Sequence, residues 1–240
     1  MPELEQIAVV IPAHDEATNL PKSLRALATA TLCSPVPVLT VVVLDACGDD
    51  SAALAGRFGP DVHFVEVDAG NVGAARAAGF DYARSTCIGA DPARTWYATS
   101  DADSLVPADW LLRMTSTYAD MVLGVVRVPD WRNFPAEVAR RYLRAYQAKV
   151  SRNGNGHNHV HGANMGFNAA AYWNVGGFRA LPTGEDVELV ERFEAAGRHI
   201  RRDAALSVIT SARRDARAPS GFASHLRTLS KSRRRTGEPA

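Results

Sequence analysis

The run Ile7-Ala-Val-Val-Ile11 contains no polar residue and is closed by Pro12. A strand with one wet face alternates apolar and polar residues. A short unbroken run instead reads as a strand buried on both faces, as in a parallel sheet. Val38–Leu44 repeats the pattern with β-branched residues, and Val62–Val67, Thr95–Thr99 and Met121–Val128 read as further strands. Helical stretches separate them. Thr18-Asn19-Leu20-Pro21 is a helix start, followed by Leu24 and Leu27 at helical spacing. Ser51–Phe58 reads as a short helix closed by Gly59-Pro60, and Val72–Ala83 as a helix of small residues suited to close packing. Pro107–Tyr118 places Trp110, Leu111 and Met114 inward. Alternating strands and helices predict an α/β chain: an open, mixed, mostly parallel sheet flanked by helices, with right-handed crossovers.

The pattern changes after residue 130. Ala136–Val150 is amphipathic, with Val138, Tyr142, Leu143 and Tyr146 on one face and Arg140, Arg141 and Arg144 on another. Ser151–His161 is polar and turn-rich, so it reads as a loop. Glu185–Ala196 is a helix closed by Gly197, Leu206–Thr210 a short strand and Gly221–Leu229 a last helix.

Composition removes several classes. The 240 residues are 46% hydrophobic and 22% charged, ordinary for a globular chain and wrong for a disordered or collagen-like one. No apolar run approaches the ~20 residues of a membrane span. The acidic N-terminus, Met-Pro-Glu-Leu-Glu-Gln, does not read as a signal peptide. Cys33, Cys47 and Cys87 lack paired spacing, so reduced thiols and a cytoplasmic location are expected. Residues 201–240 carry ten Lys/Arg against three Asp/Glu, which leaves the remainder acidic under a net charge of +1. Nucleic acid is therefore a poor partner. The tail Lys231-Ser-Arg-Arg-Arg235 could attract phosphates or the anionic inner face of a membrane.

Ligands of open α/β sheets bind beyond the carboxyl ends of the strands. The polar groups there are His14, Asp15 and Glu16, then Asp45, Asp49 and Asp50, then Asp68 and Asn71, then Asp101 and Asp103. Carboxylates gathered on one edge repel one another unless a cation or a hydrogen-bonding ligand compensates. Asp101-Ala102-Asp103 is the sharpest case: two carboxylates at i and i+2 after a strand can hold Mg²⁺ or Mn²⁺, which prefer oxygen ligands and share substrate phosphates. Neither a Gly-x-Gly-x-x-Gly turn nor a P-loop follows the first strand, which argues against those nucleotide folds. His157-x-His159-x-His161 offers zinc ligands, an acceptor-site or metal-adjacent task for His161, or ordinary polar loop residues. Trp131, Trp173 and Phe178 could stack on a ligand ring or serve as packing.

Taken together, these motifs resemble a family 2 glycosyltransferase of the GT-A fold. The matching segments, in order, are Val9–Glu16, Val42–Asp45, Asn71–Gly79, Ser100–Asp103, Gly162–Phe167, Gly176-Gly177-Phe178 and Gly184-Glu185-Asp186. They span roughly residues 7–195. Where the family tends to have Asp-Gly-Ser after the second strand, this chain has Ala46-Cys47-Gly48-Asp49-Asp50-Ser51. The processive-synthase motif Gln-x-x-Arg-Trp is missing, so a polymerising enzyme is disfavoured.

The resemblance implies one domain over 1–240, with a nucleotide-binding half (1–130), an acceptor-side half (131–230) and a basic tail (231–240). It implies inverting, metal-dependent transfer of a sugar from a nucleoside-diphosphate donor to an acceptor hydroxyl on a small molecule, lipid or glycan. Donor-site positions carried over are Pro12, His14, Glu16, Asp45, Asn71, Gly73, Arg76, Asp101 and Ala102. Asp103, with Asp101, would hold Mn²⁺ or Mg²⁺. By the same resemblance Asp186 would be the general base, with Glu185 beside it as the lesser candidate. The competing readings are a sugar-1-phosphate nucleotidyltransferase, which would want a Gly-rich basic loop after the first strand, and a catalytically silent nucleotide-sugar-binding protein.

Overall fold

The computed structural model describes residues 3–87, 89–128, 131, 136–151 and 156–210, with only the backbone of 149–151. The expected helix Gly221–Leu229 and the basic tail lie outside the described residues. Among the described residues the strands are β1 (Gln6–Ala13), β2 (Val38–Asp45), β3 (Val62–Val67), β4 (Thr95–Thr99), β5 (Ser104–Leu105), β6 (Met121–Arg127), β7 (Met165–Asn168) and β8 (Ile200–Thr210). The helices are α1 (Leu20–Leu32), α2 (Val72–Thr86), α3 (Trp110–Thr115), α4 (Ala136–Ser151), α5 (Ala169–Asn174) and α6 (Glu185–Ala195).

The strands form one sheet in the order β3-β2-β1-β4-β7-β6-β8-β5. The block β3-β2-β1-β4 is parallel throughout. β7 enters antiparallel between β4 and β6, β6 pairs parallel with β8, and β5 closes the edge antiparallel to β8. The sheet is therefore mixed and mostly parallel, as the sequence predicts. β6 does not lie beside β4; the later strand β7 separates them.

Unbroken apolarity in β1 has the expected cause. Ile7, Val9 and Ile11 face one core with Leu20, Leu24 and Leu27 of α1 and with Trp96, Trp110 and Met114. Ala8 and Val10 face a second core with Val41, Val43, Phe80, Tyr97, Phe167 and Phe193. Alternate residues of a strand point to opposite faces, and here both faces are covered.

Three expectations need correction. Ser51–Phe58 is not an α-helix; it holds only a 3₁₀ turn, Asp50–Leu54, whose cap Asp49 accepts from the Ser51 N–H. Gly56 follows at φ 75°, which ends any helical continuation. The helix expected over Pro107–Tyr118 shortens to α3, at and just beyond whose C-terminus Thr115, Ser116 and Thr117 spend their hydroxyls on backbone carbonyls. The strand expected over Leu206–Thr210 begins at Ile200, through a polar stretch with a bulge between the partners Leu123 and Val125.

The small residues of α2 let it sit hard on the sheet. A Cβ at Gly79 would come within 2.5 Å of a Val10 methyl and 2.9 Å of a Val43 methyl. Gly79→Ala gains about 1 kcal/mol of helix propensity but overpacks two stiff β-branched side chains, typically at about 1–3 kcal/mol. A net fall of a few degrees in Tm is expected by calorimetry. An unchanged or raised Tm would show slack between α2 and the sheet.

Candidate active site

The carboxyl ends of β1, β2 and β4 and the N-termini of α2 and α6 converge on one edge. Arg76 lies at the centre. It sits on α2 with its side chain 3% exposed, and donates from Nε to Thr99 Oγ1 at 3.3 Å, from Nη1 to Glu185 Oε1 at 2.5 Å and from Nη2 to Asp101 Oδ1 at 2.7 Å. Burial opposes its charge, but Asp101, Glu185 and Asp186 outweigh that and hold its pKa above the ordinary arginine value.

Asp101 leaves the end of β4 and keeps 41% of its side chain exposed. Desolvation pushes its pKa up to about 6; Arg76 pulls it down, while Asp103, Asp186 and Glu185 push it further up. Three carboxylates thus crowd one buried cation, with Asp103 acting on Asp101. Asp103 accepts from the Thr210 hydroxyl at 3.4 Å. Ala102 between them is 2% exposed and packs into the first core, so only its backbone can reach a ligand.

Glu185 and Asp186 open α6, behind Gly184 at φ 76°. Their surroundings differ. Glu185 is buried and committed to Arg76. Asp186 is less buried: Oδ2 accepts from the Gly162 N–H at 2.9 Å and Oδ1 from the Val187 N–H at 2.8 Å. These two bonds fix the carboxylate's direction and leave further lone pairs for a proton.

Several donor-site candidates are engaged within the protein. Both Asp45 oxygens accept backbone N–H groups: Ala69 and Gly70 on Oδ1 and Asn71 on Oδ2, each at 2.8 Å. Asn71 caps α2 by accepting from the Ala74 N–H, and its amide donates to the Leu181 carbonyl. A Cβ on Gly73 would stand 2.2 Å from the Arg179 carbonyl oxygen, so glycine there permits α2 to meet the 179–185 segment. Glu16 is buried and accepts from the Asn19 side chain. Pro12 is buried within β1. His14 is half-exposed, with Nδ1 against the Asp45 carbonyl at 2.7 Å.

A second acidic group lies nearby. Among the described residues, ligand atoms of Asp15, Cys47 and Asp49 fall within 4.8 Å of one another. Asp15 accepts from the Gly48 and Asp49 N–H groups, and Asp49 from Ala17 and Ser51, so these carboxylates tie the turn together. Burial raises the Cys47 pKa, which disfavours the thiolate a metal would need.

The three histidines do not gather around a common point. His157 meets the Leu123 carbonyl, His159 stacks on Tyr146 at 3.8 Å between centroids, and His161 stacks on His159 at 5.6 Å. Tyr146, His159 and His161 form a row of stacked rings, and His157 lies tilted against His159. Phe178 is buried beneath Arg76, and Trp173 packs on Arg84 and donates to the Tyr97 hydroxyl. Trp131 packs on Tyr142.

Two positioning groups carry no periodic signal in the sequence. Thr99 is a polar residue ending an apolar strand, the one hint of a task. Asn164, 0% exposed, accepts from the Trp110 indole N–H and donates to the Val125 and Leu206 carbonyls. It pins the loop preceding β7 to β6 and β8.

The sequence matches the family model described as glycosyl transferase family 2 over residues 8–176. The chain belongs to glycosyl transferase family 2. Its fold is shared with solved glycosyltransferases of low sequence identity. S. aureus TarS 1-349 in complex with UDP-GlcNAc aligns at a TM-score of 0.66 and 13% identity, over 98% of this chain and 68% of that one. The mannosyltransferase PcManGT from Pyrobaculum calidifontis, in complex with GDP-Man and Mn²⁺, aligns at 0.60 and 17% identity, over 100% of this chain and 67% of that one. No curated protein matches the sequence. The family 2 protein is a glycosyltransferase of the GT-A fold that draws on a nucleotide-sugar donor. Among the described residues of this glycosyltransferase, no helix is long and apolar enough to cross a membrane.

Proposed function

We propose that this glycosyltransferase carries out inverting, divalent-ion-dependent transfer to an acceptor hydroxyl, with Asp186 as the base and Asp103 and Asp101 as the metal carboxylates. The observation that carries the reading is the excess of negative charge at the site: Asp101, Glu185 and Asp186 face the buried cation Arg76, and Asp103 stands close to Asp101. An all-oxygen, net-anionic site fits a hard cation and would repel a nucleoside diphosphate without one. Asp101 and Asp103 offer two protein carboxylates, which suits an ion that completes its shell with phosphate oxygens. Such an ion neutralises charge developing on the leaving diphosphate.

The residues divide the work. Asp186 accepts the acceptor's hydroxyl proton, held in direction by the Gly162 and Val187 N–H groups. The acceptor oxygen bonds to the anomeric carbon as the bond to the diphosphate breaks on the opposite face, which inverts the configuration. Glu185 is buried against Arg76 and so is poorly placed to take that proton.

Asp103→Asn is expected to weaken Mn²⁺-dependent binding of UDP or GDP by more than tenfold, about 1.4 kcal/mol. Titration calorimetry with and without EDTA checks this. Unchanged, EDTA-insensitive binding in the variant contradicts the metal assignment.

A further inference from the structure

Arg76 was expected at the donor, yet its guanidinium is turned inward. Each of its three nitrogens donates to protein: Nε to Thr99 at the end of β4, Nη1 to Glu185 at the start of α6, Nη2 to Asp101 after β4. The guanidinium carbon stands 5.6 Å over the Phe178 ring. On another side it is flanked by Gly162, where a Cβ would lie 2.5 Å from Nη2. One side chain therefore reaches the metal-motif segment, the loop at Gly162, the Gly-Gly-Phe segment and the helix that carries Asp186.

We propose that Arg76 is a positioning residue for sugar transfer: it acts through Asp101 and Glu185, fixing the metal-side carboxylate and the start of α6 at one spacing, and does not touch the donor. The inference rests on the proposed function and assigns its geometry to one residue. Three features carry it. The side chain is 3% exposed, so a diphosphate has almost no surface to meet. Its Nη groups are aimed at two carboxylates 84 residues apart in sequence, and a planar fork can hold both at once. Asp186 is the immediate neighbour of Glu185, so a shift at Glu185 moves the base away from Gly162. A lysine has one point charge and no fork, and can satisfy one carboxylate at a time.

The test is a double-mutant cycle with Arg76→Lys and Glu185→Gln. Turnover is followed as sugar release from whichever of UDP-glucose, GDP-mannose and dTDP-glucose the wild type cleaves with Mn²⁺. Calorimetry with Mn²⁺ and UDP or GDP reports binding on the same samples. Arg76→Lys is expected to lose about 30-fold or more in kcat with nucleotide affinity changed less than threefold. The double variant should be no worse than the poorer single one, within about twofold, because both changes break one device. Multiplying losses, or a tenfold loss of affinity with kcat retained, would make Arg76 a donor ligand and overturn the proposal. If Arg76→Lys does not fold, Thr99→Val carries the test, since it removes one of the three ties and keeps every charge. It should lower kcat several-fold with affinity unchanged, and wild-type kcat in it overturns the proposal. A wild type that cleaves none of the three sugars and binds neither nucleotide overturns the functional reading itself, and the proposal with it.

Discussion

Asp186→Asn should abolish most turnover while leaving donor binding nearly intact. A general base meets its proton chiefly in the transition state, so its loss appears in kcat and hardly in the affinity for the donor. The usual cost is about 10²–10⁴-fold in rate. Asparagine suits the test because it preserves size and can still accept the Gly162 N–H through its amide oxygen, giving up only the bond from the Val187 N–H to the other oxygen. Transfer rate and nucleotide affinity are measured on one sample. Near-normal turnover would move the base elsewhere. Lost nucleotide binding would make Asp186 part of the donor site, and the difference from Glu185 in burial would then have no catalytic meaning.

Asp45→Ala is expected to cost more stability than any other single change among the donor-site candidates. The carboxylate is 5% exposed and accepts three backbone N–H groups, from Ala69, Gly70 and Asn71. Hydrogen bonds to a charged group contribute about 1.5–3 kcal/mol each, and removing the acceptor also leaves donors unsatisfied. The three are not additive, because they hold one turn; a loss of about 3–5 kcal/mol is reasonable. In a protein of this size that corresponds to a Tm drop on the order of 10 °C. The turn also sets Asn71, the cap of α2, so loosening it reaches Arg76 one turn later. Urea and thermal unfolding of the nucleotide-free protein check the figure. A loss under about 1 kcal/mol with an altered base preference would instead show that Asp45 faces the nucleotide.

The parallel half of the sheet was readable to within a residue or two because of where it sits. Burial on both faces leaves β1 and β2 as apolar runs, too short for a helix and rich in valine and isoleucine, which marks them as strands. β7, Met-Gly-Phe-Asn, is four residues long with a glycine inside, and β5 has two residues; neither is long enough to show a period. The start of β8 was hidden by Arg201, Arg202 and Asp203, whose ion pairs with Glu194 and Arg113 let a polar stretch pair along β6.

The site was legible in a different way. Acidic residues after successive strands pointed to one edge of the sheet, where the structure gathers Asp101, Glu185 and Asp186 around Arg76, and the motif order pointed to the family. What the chain could not display was the use of each group. Asp45, Asn71 and Gly73 look alike as donor-site positions. Yet Asp45 and Asn71 hold backbone, and Gly73 makes room for the Arg179 carbonyl. Contacts such as Arg76 to Glu185, 109 residues apart, arise from tertiary packing and leave no local pattern. The histidine triplet shows the converse. Its spacing is that of a metal motif, while stacking on Tyr146 gives the rings a packing task.

The most direct test of the account is proton NMR of the sugar released from an α-linked UDP- or GDP-hexose by the purified protein, with Mn²⁺ and with EDTA. The anomeric proton signal of the first product, read by its shift and, for an axial H2, its coupling, reports the stereochemistry before mutarotation. The account predicts release with Mn²⁺ only, as the β-anomer, and almost none from the Asp186→Asn variant. An α-anomer product, or release that persists in EDTA, would contradict it.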